Sequence, residues 1–154
     1  MAFDFHHSTH DERPILIPQI GLTLQVRVPP ETTGGALTAI ETVNAPGYGP
    51  PLHRHRETEI FYVLEGHYLF EVDGFRFEAC TGDAVTVPGG SAHAFVNLGQ
   101  APARQFIQIL PALDATAFFC GLGEVMRDGK ADQDALNLFG RKWQVEFLGP
   151  PLRA

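Results

Sequence analysis

No stretch of this sequence stays apolar for more than a few residues, so nothing in it reads as a helix that spans a bilayer. Basic residues are scarce: 11 Lys and Arg stand against 18 Asp and Glu, for a formal net charge of −7, and they form no stripe. That distribution excludes the electrostatic footprint of a nucleic-acid-binding protein. The lack of any Arg/Lys cluster also argues against a phosphate site. Cysteine is nearly absent. Cys80 and Cys120 lie far apart with no CxxC partner, which points to two reduced thiols, one or both buried. Residues 1–13 carry no apolar signal-peptide region, and the expectation is a cytoplasmic protein without membrane partners. Internal repeats and low-complexity segments are missing as well.

What is present is an ordinary globular composition, 44% hydrophobic over 154 residues, enough for one domain with a real core. The first dozen residues, with His6, His7 and His10, read as a flexible polar arm. From there to Leu110 short apolar or alternating runs recur at 22–28, 36–43, 59–66, 67–72, 75–79, 84–88, 93–97 and 104–110. Gly, Pro and Asn/Asp signals separate them at the spacing of an all-β sandwich or barrel. Asp73-Gly74 suits a type I′ hairpin turn, since both residues tolerate positive φ. After Pro111 the period changes. Leu113, Ala117, Phe118, Leu122, Val125 and Met126 recur at helical spacing behind Asp114 as N-cap, and a second short helix is expected within 132–143, ending near Gly140. The organisation read from this is a tail at 1–13, a β-barrel at 14–110, and a helical segment with a tail at 111–154 packing on the barrel.

The polar residues on the approach to the apolar run at Ile60–Leu64 carry the chemistry. His53 and His55 are two apart, so on an extended backbone both leave one face, and Glu59 shares their parity unless a turn at Arg56-Glu57 intervenes. His93 follows the Gly-rich stretch Pro88-Gly89-Gly90 on another strand, with Asn97 placed to pin the backbone of that turn. Three imidazoles and a carboxylate suit one Fe, Mn, Ni, Co, Cu or Zn ion better than Mg or Ca. Four protein ligands leave two positions of an octahedral ion open. Phe61 and Val63 share the parity of Glu59, and Phe95 that of His93, so these three are expected to line a substrate pocket. Glu57 is read as facing solvent or pairing with Arg54 or Arg56, and His67 as a surface residue.

The spacings are specific. Gly47, five residues, His53-x-His55, three residues, Glu59, six residues and Gly66 are followed, after 15 residues, by a second pattern: Gly82, five residues, Pro88-x-Gly90, two residues, His93, three residues and Asn97. Together these resemble the two motifs of a single-domain bacterial cupin, and the flanking "ETTGGALTAIETVNAPGYGP" and "VEFLGPPL" resemble members described as quercetin dioxygenase-like. The resemblance implies an all-β cupin double-stranded β-helix (a jelly-roll barrel) with short C-terminal helices. It implies one divalent metal held by His53, His55, Glu59 and His93, a metal-dependent dioxygenase with Glu59 as the catalytic base, and a small aromatic or enolic substrate. The alternatives are a non-enzymatic metal or small-ligand binding module, and a metal-dependent isomerase, lyase or hydrolase that does not use O2. Both faces of the run at 59–66 are apolar, Phe61 and Val63 on one and Ile60, Tyr62 and Leu64 on the other. The outer face therefore needs a cover, and a homodimer is expected.

Overall fold

The alternating runs become strands of two facing antiparallel sheets. A computed structural model describes residues 2–129 and 132–154, so Met1 of the tail and residues 130–131 lie outside the described part. The strands are β1 (Ile15–Ile17), β2 (Leu22–Val28), β3 (Thr38–Asn44), β4 (Pro51–His55), β5 (Thr58–Glu65), β6 (His67–Val72), β7 (Phe75–Cys80), β8 (Ala84–Val87), β9 (His93–Asn97), β10 (Ala103–Leu110) and β11 (Val145–Pro151), with helices α1 (Ala115–Val125) and α2 (Gln133–Trp143) before the last strand. One sheet runs β1-β2-β3-β10-β5-β8 and the other β11-β4-β9-β6-β7. Every strand read from the sequence is present within a residue or two at each end. The fold is a jelly-roll β-sandwich with two short helices.

Inward residues of both sheets form one core. Leu24, Ile40, Phe61, Val63, Tyr68, Phe70, Phe95 and Ile107 are all buried in it. The aromatic rings meet at angles: Phe61 stands edge-on to Phe70 at 5.4 Å and to Phe95 at 5.6 Å between centroids. Of the other phenylalanines, Phe70 is core, Phe77 stacks on it at 5.6 Å, and Phe75 projects from the hairpin tip, 70% exposed. That hairpin turns at Asp73 and Gly74 with φ of 48° and 84°, as a type I′ turn demands.

Two local features differ from expectation. Gly140 does not end α2. It is buried where a Cβ would meet the Val145 carbonyl at 2.3 Å, so its glycine serves close packing of the helix on β11, and the left-handed cap falls at Gln144 (φ 58°). The closing piece, extended as its sequence suggests, is strand β11, which pairs with β4 and places Phe147 opposite His53. Both cysteines are free thiols as expected, but both are exposed where one or both were expected to be buried. Cys80 is the outward neighbour of buried Ala79 on β7, and Cys120 lies at an exposed position of α1.

The N-terminal residues lie along β2. Gln25 donates to the His10 and Glu12 carbonyls, and Arg27 donates to the Thr9 carbonyl. Among the described residues no helix is long and apolar enough to cross a membrane.

Candidate metal centre

β4 and β9 are neighbours in one sheet, and their register sets His53 directly opposite His93. The chain then bends at Arg56-Glu57 and crosses to the other sheet, where Glu59 near the start of β5 pairs with Ile109 and Val87. Glu59 thus reaches the histidines across the sandwich, not along a continuous strand face. Two alternating pleats facing one another bring the four side chains together.

One potential ligand atom from each of His53, His55, Glu59 and His93 lies within 4.8 Å of all the others. His93 Nε2 is 2.9 Å and His55 Nε2 is 3.4 Å from Glu59 Oε2. The imidazole of His53 is 4.3 Å from that of His93 and 5.4 Å from that of His55 between centroids. His93 is 2% exposed, and the other three are partly buried at the same spot.

The remaining nitrogens are anchored. His53 Nδ1 donates to the Pro51 carbonyl at 2.7 Å, His93 Nδ1 to the Ser91 carbonyl at 2.9 Å, and His55 Nδ1 to the Glu57 carbonyl at 3.1 Å. A carbonyl can only accept, so each Nδ1 carries the proton, and each Nε2 is directed at the common point. This is the second-sphere pattern that fixes tautomer and ring orientation for a metal. The donor set, three imidazole nitrogens and one carboxylate, fits a first-row transition ion.

The electrostatics agree. Burial, then the neighbouring His93, pushes His53 down to about 3 against the attraction of Glu59, so it stays neutral. Burial alone would raise the Glu59 carboxyl, but hydrogen bonds from His55 and His93 hold it well below the usual carboxylate range. Burial alone would lower His55, but Glu59 and then Glu57 raise it. The cluster pairs an ionised carboxylate with a His53 imidazole that stays neutral, the forms that ligate a divalent cation, and binding one would release the proton that His55 Nε2 shares with Glu59.

The flanking motif residues build the walls. Gly47, Gly66, Gly82 and Gly90 all have positive φ. The Pro88–Gly90 turn closes with Ser91 N donating to the Pro88 carbonyl, and Gly90 N donates to the His55 carbonyl at 2.7 Å. Asn97 does not pin that turn. It lies at the far end of β9, where its amide donates to the Asn44 and Ala101 carbonyls and its oxygen accepts from Gly99 N. Phe61 lies edge-on to His93 at 6.3 Å and beside Phe95, whereas Val63 sits one layer deeper, opposite Gln105. All three are buried.

Glu57 corrects the reading from sequence in part. It pairs with Arg56 as expected (3.3 Å), but it is buried, 7% exposed, with Oε2 3.5 Å from His55 Nδ1. The bend at Arg56-Glu57, which reads in sequence as an exposed corner, instead turns this side chain in behind His55. Arg54 pairs instead with Glu146 on β11. His67 is half-exposed and donates to Glu78 at 2.8 Å.

Comparison with known proteins follows this geometry. Residues 40–107, which span all four clustered side chains, match the family described as Cupin domain. An uncharacterized protein of Methanocaldococcus jannaschii is 37% identical over 54 residues, 34% of this chain, and the match spans 43% of that relative's length. Among solved structures, an RmlC-like cupin from Shewanella frigidimarina superposes with TM-score 0.64 at 24% identity, covering 75% of this chain and 99% of that one. A predicted oxalate decarboxylase from Thermotoga maritima superposes with TM-score 0.64 at 20% identity, covering 70% and 99%. At these identities the superpositions speak for the fold alone.

Proposed function

The chain is a cupin, and from that premise we propose that it holds one divalent transition metal and acts as a metal-dependent dioxygenase on a small aromatic or enolic substrate. The observation that carries this is the convergence of three carbonyl-anchored imidazoles and Glu59 on one point. The Nε2 atoms of His53, His55 and His93 and a Glu59 oxygen would hold the ion. When bound, it would supply Lewis acidity toward an oxygen of the substrate and a place for O2 to be activated.

The chain's own residues do the rest. Glu59, ionised in the cluster, takes the acidic proton of an enol or phenol brought beside it. Phe61 and Phe95 give the site an apolar wall that suits a flat, unsaturated substrate and excludes water. The carbonyl-bound Nδ1 atoms keep the imidazoles from turning.

The test is O2 uptake by anaerobically purified protein reconstituted with iron, manganese, nickel, cobalt or copper, offered flavonols, catechols and β-diketones. Uptake with at least one metal, lost in His55→Ala, is expected. No uptake with any metal overturns the dioxygenase reading. A second reading, a lyase using the same ion as a Lewis acid, draws support from the description of the Thermotoga protein as a predicted oxalate decarboxylase. It would turn over without consuming O2, so the same assay with product detection separates the two.

The proposal extends to assembly. On the outer face of β5, Tyr62 is 45% exposed beside partly buried Ile60 and Leu64, opposite Phe106 of β10. A second copy of the chain covering this face would make the homodimer that the apolar pattern of the strand calls for.

A further inference from the structure

Glu57 is a buried carboxylate that the metal-binding reading leaves without a role. Burying an ionised carboxylate is unfavourable unless charged or hydrogen-bonding partners surround it. Its outer partner, Arg56, reaches Oε1 at 3.3 Å, but the Arg56 side chain is 67% exposed, and an ion pair to so exposed a cation is weak. The inner partner is His55 Nδ1, 3.5 Å from Oε2. His55 also has the longest Nδ1–carbonyl contact of the three clustered histidines, 3.1 Å against 2.7 and 2.9 Å. Among the described residues it is the one clustered imidazole whose Nδ1 is backed by a carboxylate.

The backbone around Glu57 is clamped. Gly90 N donates to the His55 carbonyl at 2.7 Å, and Gly89 N donates to the Thr58 hydroxyl at 3.1 Å. The turn lies so close that a Cβ on Gly89 would meet the Arg56 carbonyl at 2.0 Å. The second spaced motif of the sequence, which delivers His93, therefore also fixes the corner that carries Glu57. On its far side Glu57 borders a cleft of about 370 Å³ shared with Arg56, Leu113, Asp114, Lys142 and Trp143.

We propose that Glu57 is a positioning residue for the metal centre: its carboxylate backs His55 Nδ1–H, fixes that imidazole with Nε2 toward the ion, and makes Nε2 the more electron-rich donor. This rests on the metal-binding reading above. A carboxylate behind a ligating histidine raises ligand basicity, and removing such a partner costs roughly 10- to 100-fold in metal affinity.

The experiment compares wild type with Glu57→Gln, which keeps shape and removes charge, and Glu57→Asp, which keeps charge with a shorter reach. Zn²⁺ affinity is read by competition with a chromophoric chelator, and Cu²⁺-loaded protein by electron paramagnetic resonance. Expected are one ion per chain in all three, an affinity reduced roughly 10- to 100-fold in Glu57→Gln with altered copper hyperfine values, and partial recovery in Glu57→Asp. Wild-type affinity and an unchanged copper spectrum in Glu57→Gln overturn the proposal while leaving the metal centre standing. Should Glu57→Gln fail to fold, Glu57→Met, of similar volume and without a polar group to bury, carries the same comparison, and undiminished affinity there overturns it equally. Wild-type protein that takes up neither metal overturns the metal centre itself, and this role with it.

Discussion

His53, His55 and Glu59 lie within one cluster yet titrate in different senses, and the signs fix how the metal-free protein responds to acid. His53 is pushed down to about 3 from the usual 6.5 by burial and by His93, against Glu59. Its stabilising contribution is complete above about pH 6.5, where the unfolded imidazole is also neutral. As pH falls below that, the unfolded state binds a proton that the folded one refuses, and the contribution is lost progressively toward pH of about 3. Glu59, held low by His55 and His93 against the effect of burial, acts in the same direction: its contribution is present above its unfolded range and lost as pH falls through its folded value. His55 is raised by Glu59 and Glu57 against burial, so its contribution is full in acid and is lost as pH rises through its folded value. Below pH 6.5 the first two therefore dominate the slope. Thermal melts of chelator-stripped protein should show a midpoint falling steadily from pH 6.5 to 4, as unfolding free energy is lost at up to about 1.4 kcal/mol per pH unit for each proton taken up on unfolding. A flat midpoint across that range would contradict the neutral, buried state of His53.

Elements position these residues through their ends more than their middles. The β4–β5 corner moves the chain from one sheet to the other within two residues, which is why histidines of one sheet and a carboxylate of the other face one another. Helix ends show the same dependence on single residues. Asp114 and Asp132 cap α1 and α2 by accepting from Ala117 N and Ala135 N, as side-chain oxygens at N-caps do. At the other end of α2, Gln144 holds a left-handed conformation that glycine adopts without strain. Gln144→Gly should therefore raise stability, by up to about 1 kcal/mol, without disturbing β11. Denaturant melts decide the sign. A loss of stability would mean that Gln144 makes contacts worth more than its backbone strain.

The molecule as a whole is a sandwich whose inner faces are filled and one of whose outer faces is not fully covered. Helices α1 and α2 pack on each other through Phe118, Phe139 and Trp143, and α2 leans on β11. Tyr62 and its neighbours on β5 remain on the surface of the other sheet. If a second copy covers them, sedimentation should report twice the 16.9 kDa of one chain, and Tyr62→Glu should shift the species toward a single chain, because a charge would be buried at the contact without a partner. A mass of 16.9 kDa for the wild type would exclude the dimer.

The sequence by itself determined the strands, the hairpin at Asp73-Gly74 and the identity of the clustered residues. Periodicity of two, turn chemistry and motif spacing are local properties written in consecutive residues. His53, His55 and His93 could be selected because polar groups at inward positions of apolar strands demand a partner. Tertiary structure alone decided what depends on close approach between distant segments. Gly140 reads as a helix terminus until the Val145 carbonyl is seen against it. Asn97 reads as a pin for the preceding turn until β3 lies alongside. Glu57 reads as half solvent-facing because it falls in a bend between His55 and Glu59. The bend at Arg56-Glu57, held by a glycine turn more than 30 positions further along the chain, turns it inward behind His55. A bend read from sequence does not say which way its side chains point, and here the packing of a distant turn against the corner decides it.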